Sequence, residues 1–233
     1  SSRPGADNVS PDEEFSRLDR AMAVIRTDFP TVAVSIDTFR SKVARRVVER
    51  YGPVIINDVS SGGLDPELPA AAAEWGAPYV AMHMRGTPQD MQQHIDYEGE
   101  VADEVIAWFA RKLDTFRDLG LHDVILDPGF GFSKTTEQNY ALLARLSDLQ
   151  ILERPVLAGL SRKSMIWKPL GCTPAEALNG TTALHWEALC QGASILRVHD
   201  VREAVETIRL FQCFPASGFF SSQGQKITKT TKT

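Results

Sequence analysis

Several common protein classes leave a mark in the sequence that this 233-residue chain lacks. Its cysteines, Cys172, Cys190 and Cys213, are odd in number and form no C-x-x-C pair. That argues against a disulfide framework and suits free thiols in a reducing, cytoplasmic compartment. No apolar run is long enough to span a membrane, and no signal peptide is visible near residue 1. Basic residues are not in excess. The formal charge is −5, which disfavours wholesale binding to nucleic acid. Histidine is scarce, and His94, His122 and His185 show no metal-like spacing. His83 reads as a satisfied structural histidine rather than a ligand.

What the chain does have is an ordinary globular composition, 43% hydrophobic and 24% charged. Its organising stretch is Leu126-Asp127-Pro128-Gly129-Phe130-Gly131-Phe132. The preceding Asp123-Val-Ile-Leu reads as a short buried strand ending in a carboxylate. Pro128, Gly129 and Gly131 then impose a tight loop carrying two phenylalanines. An acid at a strand's carboxyl end followed by a glycine-rich aromatic loop suits a flat polar ring. A strand-capping Asp with two core Phe residues is the plainer alternative.

Apolar β-branched runs alternate with amphipathic helices along the rest of the chain. Ser10-Pro11-Asp12-Glu13 is a capping box opening a helix to about Thr27, with Phe15, Leu18, Met22 and Ile25 inward. Strands are expected at Thr31–Asp37, Pro53–Asp58, Tyr79–His83, Asp123–Asp127, Pro155–Lys163 and Ser194–His199. Helices follow around Val43 to Val48, Pro66 to Trp75, Glu98 to Leu119, Glu137 to Leu146, Pro174 to Gln191 and Val201 to Gln212. Met84 to Tyr97 is expected as a long, mobile polar loop. The polar residues gather at strand carboxyl ends: Asp37, Asn57, His83, Asp127, Lys163 and His199. In an α/β fold of the (β/α)₈ TIM-barrel type, all such ends meet on one face. A doubly wound sheet is the competing architecture, and it would leave several of them far apart. Six strands are two short of eight, so the expectation is a barrel domain over residues 1–213 lacking about two N-terminal strands. Residues 214–233 are expected to be a disordered Ser/Thr/Lys/Gly-rich tail.

The strand ends together resemble dihydropteroate synthase in its bacterial form. The matching motifs are SSRPGA (Ser1–Ala6), SIDT (Ser35–Thr38), INDVS (Ile56–Ser60), MHMRG (Met82–Gly86), LDPGFGF (Leu126–Phe132), GLSRKS (Gly159–Ser164) and RVHDV (Arg197–Val201). Each is weak alone, but their order is specific. The resemblance implies a pterin-binding (β/α)₈ barrel in folate synthesis, acting with Mg²⁺ as a homodimer. Such an enzyme joins p-aminobenzoate to a dihydropterin pyrophosphate. It implies catalytic roles for Asp37, Asp127, Lys163, Arg197 and His199. Pterin contacts fall to Asp37, Asn57, Met82, Asp127, Phe132, Lys163 and Arg197. Pyrophosphate falls to Arg3, Arg197 and His199, and p-aminobenzoate to Ser2, Pro4, Phe132, Lys163 and Ser164. The family's metal-contacting asparagine would lie upstream of Ser1. Ser2 replaces a usual Thr, and Ser133 stands where Gly is common.

These residue types fit the chemistry. A carboxylate accepts two adjacent N–H bonds from an amidine-like pterin edge, which suits Asp127. An amide both donates and accepts, which suits Asn57 at the mixed edge. A flat guanidinium suits stacking on the ring, and a helix start at Ser164 favours an anion. Pyrophosphate would leave first, and the protein would supply electrostatics rather than a covalent nucleophile. Two alternatives stand beside this: a pterin-binding methyltransferase domain, and a non-catalytic pterin-binding relative. Neither needs the GLSRKS motif together with Arg3, Lys163 and His199.

Overall fold

In a computed structural model, residues 9–215 are described. The helix α1 (Pro11–Asp28) opens where Ser10 Oγ accepts from the Glu13 N–H at 3.2 Å, and Pro11 occupies its first turn. Then come β1 (Ser35–Asp37), α2 (Ser41–Tyr51), β2 (Ile55–Asp58), α3 (Glu67–Glu74), β3 (Tyr79–Met82), α4 (Val101–Asp118) and β4 (Val124–Asp127). They are followed by α5 (Thr136–Ala144), β5 (Leu157–Ala158), α6 (Ser164–Leu170), α7 (Leu178–Cys190), β6 (Ile195–Leu196) and α8 (Val201–Gln212).

Every strand pair is parallel. β1, β2, β3 and β4 lie side by side in chain order, and β5 pairs with β6. A bridge between Leu126 and Val156, with the Leu126 N–H donating to Pro155 O at 2.9 Å, joins the two sets into one row. Side chains alternate across the sheet with period two. Ile36, Ile56, Tyr79, Ala81, Val124, Leu126, Val156 and Ala158 enter the large core beneath the helices. Val80, Ile125 and Leu157, with Ile55 against them, form a small separate cluster on the other face. Helices thus cover one face, whereas a doubly wound sheet would be covered on both.

The uncovered face curls on itself. A cavity of about 320 Å³ is lined by Ser35 and Asp37 of β1, by Ile195, Leu196 and Arg197 at β6, and by Ile55, Asn57, Val80, Ile125 and Leu157 between them. The first and last strands therefore share one interior, the geometry of a barrel. α4 anchors the outer layer through Val105, Phe109 and Phe116, all nearly fully buried. Each such side chain contributes about 1.5–3 kcal/mol by leaving water.

The strands are shorter than expected, most of all β5, expected over Pro155–Lys163 but confined to Leu157–Ala158 because the chain then turns into α6, with the Lys163 N–H donating to Leu160 O at 3.1 Å. β1 begins at Ser35 because the chain leaves α1 through a turn in which Val32 N–H donates to Phe29 O at 3.1 Å. β6 covers only two residues, since it has a neighbour on one side alone among the described residues. The segment after β3 is built rather than featureless. Met91 is buried within a short 3₁₀ turn, and Arg85 donates to Asp96 O and to Glu104. α5 stops at Ala144 and continues as a 3₁₀ segment, Leu146–Leu152.

Candidate active site

The sheet's register places the polar strand ends side by side. Asp37 pairs with Asn57, and Met82 with Asp127, all on the interior face at the carboxyl ends of their strands. Asp37 is exposed on the cavity wall, while Met82 and Asp127 are buried. Asp127 is held by its own loop, where the Gly129 N–H donates to Oδ1 at 2.9 Å.

Arg197 reaches across the interior from the end of β6. Its Nη1 donates to Asn57 Oδ1 at 3.2 Å, between residues 140 positions apart. Its Nη2 lies 2.7 Å from Asp127 Oδ2, an ion pair without hydrogen-bond alignment. One guanidinium thus spans the carboxylate and the amide, with 38% of its own side chain exposed to the cavity side. Gly159 makes room for it, because a Cβ there would lie 2.6 Å from Nη2. Gly159→Ala is therefore expected to leave the melting temperature within a few degrees, since only a side-chain tip must move. It should also displace Arg197 from both partners and cut turnover about tenfold or more. Thermal melts and kinetics on one preparation check the pair of outcomes.

The loop after β4 carries the remaining interior groups. Gly129 has φ +69°, and a Cβ there would meet His83 O at 2.0 Å, so only glycine fits. Lys163, at the start of α6, donates to Phe130 O, and its Nζ sits 4.7 Å from the centre of the Phe132 ring. Burial pushes the Lys163 ammonium down to about 8, against the pull of Asp127 and with help from Arg197. Ser164 opens α6 beside it. His199 is exposed, and its ring Nδ1 lies 2.9 Å from Ser161 Oγ, which also accepts from the His199 N–H at 3.2 Å.

Asp37, Asn57, Met82, Asp127 and Arg197 thus share one interior face, Phe132 and Lys163 meet on the loops beside it, Ser164 opens α6, and His199 stands on the loop after β6. Ser2, Arg3, Pro4 and residues 216–233 of the expected 214–233 tail lie outside the described residues. Several contributors escaped sequence reasoning. Arg162, at φ +53°, forks onto Asp200 with both contacts at 2.8 Å and ties the Lys163 loop to the His199 loop. Ser133, at φ +50°, accepts from Arg85 N at 2.7 Å and donates to Arg85 O at 2.9 Å. Lys134 is buried below the loop that it follows. Lys134 had a faint signal, a lysine set between a glycine loop and a helix cap. Arg162 lies inside the GLSRKS motif and Ser133 is marked only as a serine where Gly is common, with nothing to show the partners of either. Among the described residues no group of three His, Cys, Asp or Glu side chains is placed to hold a metal. Mg²⁺ usually needs only one or two carboxylates beside substrate phosphates, and no chemical step is assigned to the ion.

A parallel barrel whose strand ends join a buried carboxylate, an amide and a guanidinium at one cavity, with a lysine on the loop beside them, has the makeup of a pterin-binding enzyme. The family described as pterin binding enzyme matches residues 1–199. The dihydropteroate synthases of Synechocystis and Escherichia coli are each 41% identical to the chain. They cover 90% and 91% of it, and 73% and 74% of their own lengths. The crystal structure of Yersinia pestis dihydropteroate synthase with a sulfonamide drug complex superposes with a TM-score of 0.85 at 36% identity. It covers 91% of this chain and 76% of that one. The chain belongs to the dihydropteroate synthase family. Its fold is accordingly of the (β/α)₈ barrel type, and no helix among the described residues is long and apolar enough to cross a membrane.

Proposed function

We propose that the protein condenses p-aminobenzoate with 6-hydroxymethyl-7,8-dihydropterin pyrophosphate, giving 7,8-dihydropteroate and pyrophosphate. The observation that carries this is the buried Asp127 carboxylate, locked by Gly129 N–H and faced by Arg197, with Asn57 on the same guanidinium. Asp127 accepts the amidine edge of the pterin, and Asn57 meets its mixed edge. Lys163 donates to the ring oxygen. Phe132, already against the lysine ammonium, covers the junction where the aryl amine attacks. The C–O bond to pyrophosphate breaks first, the aryl amine nitrogen then forms the C–N bond to the cationic methylene, and the proton that nitrogen gives up passes to the released pyrophosphate or to water. Asp37 and Asp127 stabilise positive charge on the pterin, while Arg197, His199 and Arg3 take up the charge of the leaving group. Met82 packs by the ring. Ser2, Pro4 and Ser164 are assigned to p-aminobenzoate.

The proposal extends to Mg²⁺ as the companion of pyrophosphate and to a cytoplasmic homodimer. Three free thiols support a reducing setting. Exposed Val201, Val205 and Leu210 on α8 support a covered surface. The test is pyrophosphate release that requires both substrates, with dihydropteroate identified as product. Release without p-aminobenzoate would sink the proposal.

Lys163 supplies a pH signature. Its ammonium is charged below about 8 and neutral above. Donation to the pterin oxygen therefore weakens as pH rises, and kcat/KM should fall on the alkaline side through about that value. Lys163→Arg, charged throughout, should shift that limb by more than a pH unit while lowering the plateau. A limb that stays put in the variant would assign it to another group.

A further inference from the structure

Two lysines, not one, hold the loop between β4 and α5, and the function proposed above uses only one of them. Lys134 has 4% of its surface exposed. Its Nζ lies 3.2 Å from Gly129 O, 3.0 Å from Phe132 O and 3.0 Å from His83 Nδ1. Burial pulls Lys134 down to about 7, against the attraction of Asp127. As an ammonium it has three N–H donors, each matched, and as a neutral amine it keeps two, enough for the two carbonyls. Burial drives His83 well below its ordinary value, so the ring is neutral and Nδ1 accepts. His83 is in turn wedged edge-on against Trp108, with ring centres 5.0 Å apart. Lys163 takes the carbonyl between those two, Phe130 O. Three of the loop's four carbonyls from Gly129 to Phe132 therefore end on two lysine amines, one buried and one half-buried.

A buried lysine is expensive, and an apolar side chain would fill the same volume at lower cost. A packing role alone does not account for it. What the amine does is bond Phe132 O together with Gly129 O, which also accepts from the Phe132 N–H at 3.0 Å, and so fix the loop's path. Phe132 and the Phe130 carbonyl ride on that path.

We propose that Lys134 is a positioning residue: through Gly129 O, Phe132 O and His83 it fixes the Phe130–Phe132 segment, and thereby sets where Lys163 and the Phe132 ring meet p-aminobenzoate. Asp127 is anchored separately, by the strand and by Gly129 N–H. The pterin edge should accordingly depend less on Lys134 than the aryl amine does. This rests on the function proposed above.

The experiment uses the whole chain with Lys134→Met, which keeps length and loses all donors. Lys134→Gln, whose amide is too short to reach both carbonyls, carries the same test should the first variant not fold. Amide hydrogen exchange over residues 129–132 should quicken about tenfold or more, while β3 and α4 exchange as in the parent. The KM for p-aminobenzoate should rise about tenfold, and that for the pterin pyrophosphate less than about threefold. Unchanged exchange in the loop, exchange that quickens evenly over the chain, or equal rises in both KM values would each overturn the proposal. If the parent chain releases no pyrophosphate, the assigned reaction fails, and the exchange result still decides whether Lys134 fixes the loop.

Discussion

Asp127→Asn is expected to lower pterin affinity and kcat/KM by about 10²–10³, the largest loss of any conservative change in the site. The Gly129 N–H fixes which atom goes where, because it donates to Oδ1 at 2.9 Å. In the variant the amide oxygen keeps that bond, so the NH₂ group replaces Oδ2. A donor then faces Arg197 Nη2, 2.7 Å from the old oxygen, and faces the N–H donors of the pterin edge as well. Charged hydrogen bonds contribute about 1.5–3 kcal/mol each, and an unmatched buried donor adds a penalty of about 1–3 kcal/mol. At about 1.4 kcal/mol per decade the sum reaches the stated range after partial relaxation. Calorimetry with hydroxymethyl pterin measures it directly, with a melting curve as a control for folding. Unchanged affinity in a folded variant would remove Asp127 from the site.

Much of this arrangement was legible in the sequence because a strand's side chains alternate with period two. Once Leu126 is placed outward, Asp127 must face inward, and the same parity fixes Asn57 beside Ile56 and Met82 beside Ala81. A carboxylate or amide at a strand's last inward position is cheap to recognise, since it breaks an apolar run. The barrel itself followed from six such ends needing one common face.

What sequence could not supply was distance across the interior. Arg197 meets Asn57 and Asp127 because the sheet curls, and curl is a cumulative property of twist rather than of any residue. It also could not show which buried groups pair. The place of Lys134 between a glycine loop and a helix cap hints at a role, but its partner His83, 51 positions away and 3.0 Å from it, is visible only in the fold. The rim strands were overcalled for a related reason: Thr31 to Val34 has strand-like residues, yet pairing depends on a neighbour. Gly159 illustrates the limit well. Its glycine is needed because Arg197, not its own backbone, occupies the space of a Cβ.

Arg197→Ala should separate the two halves of the pterin substrate. Its effect has two parts with different targets. The first is direct: the guanidinium is lost as a partner for pyrophosphate, which should weaken the pyrophosphate-bearing pterin about 10²–10³-fold. The second runs through Asp127, whose side chain is 1% exposed and whose cationic partner is Arg197. Without Arg197 at 2.7 Å, nothing fixes Oδ2 in the direction it presents to the N–H donors of the ring. Bare hydroxymethyl pterin should therefore also lose affinity, by about tenfold. Arg197→Lys distinguishes the parts. A single ammonium can restore charge beside Asp127, but it cannot span Asp127 and Asn57 at once as the two guanidinium nitrogens do. Bare pterin should then recover most of its affinity, while the pyrophosphate form recovers less than half of its loss on a logarithmic scale. Titrating both ligands into both variants gives four numbers. Equal losses for the two ligands in Arg197→Ala would leave stacking on the ring as the arginine's whole contribution and take it out of the leaving-group site.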